Sequence, residues 1–245
     1  MNRERLLAQA FLALSDTYAA EFDPLHLFHR LVHACHDLLD VDAAAVMIAD
    51  ARGDLRTMAS TDEDATFAEL MQLQNGRGPC MDCYRTGEPV SVPDITVDRE
   101  RWPQLVAAMA GSGFGSLQAI PVRLQDRPLG ALTLLRRPSG RLPSDDLHVA
   151  QALADSAALA LMHWSSEPVR ADDVITRVQS AIASKATLEI AKGMVAQYAD
   201  VTVGEAARLL TAYASGRRVR LTETVHALVD RRMPPAAVVE AQRIR

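Results

Sequence analysis

The sequence is poor in aromatic residues, which make up 4% of its 245 residues, and it contains only three cysteines. Three is an odd number and too few for a disulfide framework in a chain of this length, so we expect reduced thiols. The sequence also lacks a run of about 18 apolar residues and the apolar stretch of a signal peptide. These absences argue against a membrane or secreted protein and predict a cytoplasmic one.

Catalytic signatures are missing as well. The sequence contains no HExxH, GxSxG, Walker or protein-kinase motif. We therefore expect no enzymatic activity, and isolated acidic residues do not change that expectation.

The charges are distributed unevenly. The chain has a net charge of −5, but residues 172–245 contain 11 lysines and arginines against 8 acids. The preceding part of the chain is correspondingly acidic, with 15 basic residues against 23 acidic ones. Binding of a polyanion is therefore electrostatically plausible only at the C-terminal end, where a solvated helical surface is the simpler alternative.

Hydrophobic periodicity and turn residues predict an α+β domain in the first two thirds of the chain. Two helices open it, the first over 3–20 and the second from the Asp23 cap to about Leu39. The predicted elements that follow are strands over 43–49 and 55–60, a helix over 63–73, a break at 75–79 before a short helix, a strand over 89–92, strands over 116–124 and 127–136 joined by a tight turn, and a long helix from Pro143 to about Trp164. Hairpins between strands predict an antiparallel sheet with flanking helices.

Beyond residue 168 the pattern predicts helices only. These are a long helix over 172–198, a second over 202–214 with Thr202 and Glu205 as a capping box, a third over 221–229, and a fourth after Pro235. Gly216 is the predicted stop of the second helix. Three amphipathic helices of this length are enough for a minimal bundle.

The long C-terminal helix presents Lys185, Glu189 and Lys192 on one face, at spacings of four and three. A solvated face with an intrahelical Glu–Lys pair explains this spacing by itself. Small residues, however, surround the two lysines, including Ser184 and Gly193. Because small side chains permit close approach of a backbone or phosphate chain, they favour a docking surface.

The run from residue 178 to 229 resembles the ANTAR family of transcription-antitermination RNA-binding domains. The positions that carry the resemblance are Ser184, Lys185, Glu189, Ala191, Lys192, Gly193, Ala206, Leu210, Ala214 and Arg217 or Arg218. Lys185 stands where the family usually has arginine, and lysine lacks the planar fork of a guanidinium. The resemblance implies a three-helix module over 172–233 that binds RNA through Ser184, Lys185, Glu189, Ala191, Lys192, Gly193, Ala214, Arg217 and Arg218.

The antitermination resemblance implies a function in RNA binding. Members of that family bind paired small RNA hairpins and thereby prevent a terminator from forming, so they act on the transcription machinery indirectly. Binding two hairpins together favours a homodimer. Tyr213 is the aromatic residue near this surface, and a buried packing role suits it better than base stacking.

The preceding part of the chain resembles a GAF domain of the kind joined to ANTAR modules in actinobacteria. The resemblance covers about residues 22–164 and rests on 76–80, 85–90, Asp94, 101–103, Gly115, Ser116, Pro121, Val122 and 129–132. It implies a sensor with a small-molecule pocket but names no ligand. Cys80, Asp94 and Trp102 are candidate pocket residues; for Asp94 and Trp102, capping and packing are the alternatives.

Two further groups of residues carry chemistry. Cys80 and Cys83 form a CxxC that would serve as a thiol redox sensor or half a metal site, or else as ordinary buried thiols. His26, His29, His33 and His36 share one arc of the second helix, opposite its apolar stripe. Metal or haem binding, a pH-sensitive surface, and the plain wet face of an amphipathic helix are the three alternatives, and no metal site is predicted.

The sequence thus predicts an N-terminal helix over 1–21, a GAF-like sensory domain over 22–165, an RNA-binding module over 172–233 and a tail over 234–245. The leading function is signal-responsive antitermination. Two alternatives remain: a GAF sensor or scaffold whose C-terminal helices mediate dimerisation or partner binding, and a thiol redox sensor.

Overall fold

The chain folds into two compact units, residues 1–179 and 180–245. The computed structural model describes residues 3–15, 23–50, 52–62, 71, 76–124, 127–163, 176 and 187–243. The first unit combines helices with an antiparallel sheet and the second is helical, as the sequence predicts. Within the described ranges, no helix has the length and apolar character needed to cross a bilayer.

Two helices open the first unit, α1 (Arg3–Ser15) and α2 (Pro24–Leu38). The α2 helix begins where predicted, because the Asp23 carboxylate accepts a hydrogen bond from the Leu25 amide at 2.9 Å and proline occupies the first turn. The α1 helix packs against α2 and against the helix over Ser144–His163, so it belongs to its own domain. The predicted extension of α1 to residue 20 lies outside the described residues.

The sheet has five strands in the order β2-β1-β5-β4-β3, and every neighbouring pair is antiparallel. The strands are β1 (Ala43–Ala49), β2 (Leu55–Ser60), β3 (Val90–Val92), β4 (Ser116–Leu124) and β5 (Arg127–Arg136). Four of the five match the predicted bounds, and β3 begins one residue later than predicted. Leu124 pairs with Arg127, as a tight β4–β5 hairpin requires, although residues 125–126 themselves are not described.

Helices cover both faces of the sheet. Besides α2, they include α3 (Pro79–Thr86), a 3₁₀ helix (Ile95–Asp98), α4 (Pro103–Gly111) and α5 (Ser144–His163). Residues of α3 and α4 share one hydrophobic cluster with Ala43, Ala45 and Met47 of β1. The alternate residues of β1 are buried on the other side, where α2 and α5 contact the sheet.

One helix of this unit was missed by the sequence analysis, and one predicted helix falls largely outside the described residues. The α4 helix was not predicted, because the residue before it, Trp102, provides no side-chain cap and its apolar residues show no clear stripe. The predicted helix over 63–73 falls almost wholly on residues that are not described; Met71 is the exception, and it is helical and fully buried.

Gly130 lies where the backbone of β5 comes close to the backbone of β1. It pairs with Ile48 of β1, and a Cβ atom at this position would lie 1.9 Å from the carbonyl oxygen of Met47. The neighbouring atoms are backbone, which cannot move aside as a flexible side chain can. Glycine at position 130 is therefore required for β1 and β5 to pair.

Over residues 187–243, the part of the second unit that the structure describes, four helices form a bundle: α6 (residues 187–199), α7 (Val203–Arg217), α8 (Leu221–Val229) and α9 (Pro235–Arg243). One apolar core holds them together, formed by Ala191, Val195, Ala206, Leu210, Tyr213, Val225, Leu228 and Val238. Of the predicted long helix over 172–198, the structure describes residue 176 and the stretch from 187 onward.

The ends of α7 confirm one prediction and correct another. Thr202 and Glu205 form the predicted capping box: the Glu205 amide donates to Thr202 Oγ1 at 3.2 Å, and the Thr202 amide donates to the Glu205 carboxylate at 3.0 Å. The predicted stop at Gly216 is wrong. The helix continues through Arg217, and Arg218 takes the left-handed conformation, with φ of 56°, that ends it.

Candidate functional site

Trp102, a candidate pocket residue, lies in the core of the first unit with 4% of its surface exposed. The guanidinium of Arg101 lies 4.2 Å from the centre of the indole ring, and it also forms an ion pair of 2.6 Å with Asp82 of α3. Trp102 is thus enclosed by the core on one side and by an arginine on the other. This is the packing role that the sequence left as the alternative.

Asp94 has a local structural role. Its carboxylate accepts hydrogen bonds from the hydroxyl and the amide of Thr96, at 2.7 and 2.9 Å, and so caps the 3₁₀ helix. These two bonds lower the pKa of Asp94 below its usual value, and the bond from the Thr96 hydroxyl has the larger effect. Capping was the alternative to a pocket role, and the structure shows the capping contacts.

The two cysteines of the CxxC lie on α3 and are completely buried. Cys80 Sγ is hydrogen-bonded to Thr133 Oγ1 of β5 at 2.8 Å. Burial raises the pKa of Cys80 to about 12 despite this bond, and burial together with the neighbouring Cys80 raises the pKa of Cys83. Since the thiolate is the nucleophile, both thiols are held in their unreactive form. The arrangement fits ordinary buried thiols better than a redox couple.

This arrangement predicts slow modification of the native thiols. With a pKa near 12, roughly one Cys80 side chain in ten thousand is a thiolate at pH 8. We expect less than one thiol per chain to react with a maleimide within an hour at pH 8, whereas the unfolded chain in guanidinium should expose all three. Rapid labelling of Cys80 in the native chain, identified by peptide mass, would restore the redox alternative.

A small cavity also lies in the first unit, apart from these candidates. Its volume is about 10 Å³, room for about one water molecule. It is lined by Val41, Ser91, Ser116, Leu117, Gln118, Leu134, Arg136, Gly140 and Leu142. Of the three candidate pocket residues, the structure brings Cys80 and Trp102 into one core cluster, and none of the three lines this cavity. A ligand-binding role for them stays a prediction.

The histidine face of α2 lies on the surface, as predicted. His26, His29 and His36 are exposed and His33 is half-buried, opposite the buried Phe28. His29 and His33 are hydrogen-bonded through their Nε2 atoms, which are 3.1 Å apart. In the described part of the chain, no group of three or more His, Cys, Asp or Glu residues is arranged around a common metal position.

In the second unit, Lys192 is already engaged. Its Nζ lies 3.0 Å from the Glu189 carboxylate, and only 13% of its side chain is exposed. This is the intrahelical pair that the spacing alone predicts. Gly193 beside it is exposed, and a Cβ there would meet nothing within 4 Å. Ser184 and Lys185, the other candidates on this helix, lie outside the described residues.

Two of the predicted RNA-binding residues are packing residues. Ala191 is fully buried, and Ala214 is 4% exposed. Ala206 and Leu210 from the same resemblance are also buried in the bundle core. Because contact with RNA requires surface, we assign Ala191 and Ala214 to the core, and the small residues of the pattern serve helix packing there.

The turn between α7 and α8 is a basic surface of the bundle. Residues 215–220, which we call the basic turn, are all exposed and include Arg217, Arg218 and Arg220. Of the carboxylates that the structure describes, none forms an ion pair with these three arginines. Arg217 instead lies over the ring of Tyr213, 4.9 Å from its centre. Tyr213 itself is buried, with 7% of its surface exposed, as its predicted packing role requires.

Arg220 is a basic-turn residue that the sequence prediction of the site did not include. The resemblance specifies one basic residue before the third helix, and Arg217 and Arg218 are the positions that match it. A signal was nevertheless present: the segment between Glu205 and Glu223 contains arginines but no acidic residue. An acid-free stretch of this length around a helix end indicates an uncompensated positive surface.

Comparison with known proteins identifies the first unit. The structure is similar to the GAF domain of a phosphoenolpyruvate-protein phosphotransferase from Acinetobacter, with a TM-score of 0.54 and 14% identity over 66% of this chain and 95% of that one. It is also similar to the GAF domain of a phosphoenolpyruvate-protein phosphotransferase from Coxiella burnetii, with a TM-score of 0.53 and 20% identity over 66% and 94% of the two chains. At these identities the likeness shows the fold alone.

The sequence comparisons agree with this fold. No curated protein matches the chain, and no antitermination family matches its C-terminal helices. The model of the GAF domain family matches residues 23–161. This range is more than half of the chain and contains α2, the whole described sheet and most of α5. The chain therefore belongs to the GAF domain family.

Proposed function

We propose that this protein is a signal-responsive regulator in which a GAF sensor domain controls RNA binding by the C-terminal bundle, and that it acts by transcription antitermination. The single observation that carries the proposal is the basic turn, where Arg217, Arg218 and Arg220 are exposed and have no ion-pair partner among the described residues. Its targets are paired RNA hairpins, and it acts on the transcription machinery through them.

The physical basis of the proposal is phosphate neutralisation. Each phosphate contact by an arginine releases counterions, so affinity arises from the charge and falls steeply with salt. An arginine already paired with a carboxylate gains less from a phosphate, because one favourable interaction is exchanged for another. The three arginines of the basic turn are therefore better placed for this role than Lys192, whose ammonium already contacts Glu189.

A homodimer is part of the proposal, since two linked bundles would engage two hairpins together. The exposed apolar residues of the bundle support it: Ile190 and Tyr198 of α6 and Val203 of α7 are each more than half exposed. Large apolar side chains that are this exposed are available for contact with another protein surface. The same residues support the alternative function, in which the bundle binds a protein partner and not RNA.

The experiment is a titration of a fluorescent RNA carrying two tandem hairpins, followed by anisotropy at several salt concentrations. Arg218→Glu should weaken binding at least tenfold and reduce the dependence on salt, because it removes one phosphate contact and adds a repulsive charge. Lys192→Glu should have a smaller effect, since Lys192 is largely enclosed and already paired.

The matched control is Arg99→Glu, which makes the same charge change at an exposed position of the GAF domain. It should bind RNA as the wild type does. If the wild type and all three variants bind the RNA equally weakly, with no dependence on salt, the antitermination proposal is wrong and the protein-partner alternative takes its place.

A further inference from the structure

The exposed face of α2 holds a pair of histidines whose geometry has a chemical use outside the proposed function. His29 and His33 are one helical turn apart, and their Nε2 atoms are 3.1 Å from each other. The ring centroids are farther apart, at 4.2 Å, and the planes are inclined by 55°. The rings are therefore tilted so that their Nε2 edges face one another.

We propose that His29 and His33 form a chelating site for a divalent transition-metal ion of the zinc, nickel and copper class. With metal–nitrogen bonds of about 2.0–2.1 Å, two nitrogens that are 3.1 Å apart enclose an angle of about 95–102° at the metal. This angle lies between the 90° of octahedral and the 109° of tetrahedral coordination, so the separation of the two nitrogens suits one shared ion.

The donor set determines which ions bind. Neutral imidazole nitrogens suit copper, nickel and zinc, whereas magnesium and calcium require oxygen ligands. Among the residues that the structure describes, no third histidine, cysteine or carboxylate completes the set. Without an ion, one ring donates its Nε2 proton in a hydrogen bond to the other Nε2 atom. When an ion binds, that ring changes tautomer, so that its proton is on Nδ1 and both neutral rings offer an Nε2 lone pair to the ion.

The helix that presents the pair is held in place by its other face. Phe28, Leu31 and Val32 surround the pair in sequence and are completely buried. Arg30, between the two histidines, donates a hydrogen bond of 2.9 Å to the Ala13 carbonyl of α1. The backbone of this turn is thus fixed on two sides. Metal binding therefore costs only the conformational entropy of the two histidine side chains.

The test is equilibrium dialysis of the full chain against ZnCl₂, NiCl₂ and CuCl₂, with MgCl₂ as the ion that should not bind. We expect one ion per chain, and we expect copper to bind with higher affinity than zinc or nickel. His29→Ala and His33→Ala should each lower affinity at least tenfold, and the double variant should abolish binding. These positions are at the surface, so the variants should keep the wild-type circular dichroism spectrum.

The matched control is His148→Ala, which removes an exposed histidine from α5. It should bind the ion as the wild type does. A second readout is thermal: zinc should raise the unfolding temperature of the wild type and of His148→Ala by roughly a few degrees, and it should leave the double variant unchanged. Full binding by the double variant, an equal loss in His148→Ala, or no saturable binding by the wild type would each overturn the proposal.

Discussion

A Gly130→Ala variant is expected to lose about 3 kcal/mol or more of folding stability, which is a large effect for the addition of one methyl group. The added Cβ would lie 1.9 Å from the Met47 carbonyl oxygen and 2.8 Å from the Ile48 Cα. Both atoms belong to the backbone of β1, so relief requires that β1 and β5 move apart. That movement would break hydrogen bonds in the middle of the sheet.

The measurement is thermal and denaturant unfolding of the full chain by circular dichroism, with Gly111→Ala as the matched control. Gly111 is the last residue of α4, and a Cβ there would meet nothing within 4 Å. Its replacement should change stability by less than about 1 kcal/mol. An equally mild effect of Gly130→Ala would show that the two strands are not as close as the structure places them.

The second large effect is expected for Trp102→Ala, which should destabilise the GAF domain by about 3–5 kcal/mol. The ring is 4% exposed and belongs to the core cluster beneath α3 and α4, so its removal leaves a cavity lined by apolar side chains. For a chain of this size the loss corresponds to a fall of roughly 10 °C in the unfolding temperature.

The control for Trp102 is Arg101→Ala, which removes the cation above the ring and its ion pair with Asp82. Both interactions involve an exposed guanidinium, so we expect a loss below about 2 kcal/mol. If Trp102→Ala cost less than 1 kcal/mol by calorimetry, the ring would not be a packing residue, and the prediction that it lines a ligand pocket would be favoured instead.

The sheet was predictable from the sequence because its strands carry local signals. The β1 and β2 strands are separated by a turn that contains Gly53, which has a φ of 82°, and β4 and β5 are long alternating or apolar segments that flank two polar residues. Helices with strong caps were predictable for the same reason, as Asp23 and Thr202 show. The α4 helix lacks a capping side chain, and the proline in its first turn, Pro103, is the one local signal of its start.

The candidate sites were less predictable, because their chemistry depends on contacts that are distant in sequence. Cys80 and Thr133 are 53 positions apart, and nothing local indicates that their side chains meet. The pattern of residue types groups Ala191 and Ala214 with Lys192 as RNA-binding residues. Both alanines are buried in the core, and a sequence pattern does not show burial of this kind. Sequence spacing predicted the Glu189–Lys192 pair because both partners lie on one helix.

The strand order has a consequence for how the protein is made. In the described sheet, β1 pairs with β2 and β3 pairs with β4, while β5 pairs with both β1 and β4. A chain that leaves the ribosome N-terminus first therefore holds two separate two-stranded ribbons, which are marginally stable by themselves. Their open edges on β1 and β4 are templates for pairing with other chains. Synthesis of residues 127–136 closes both edges together, so the period before β5 emerges is when the nascent protein is most exposed to aggregation.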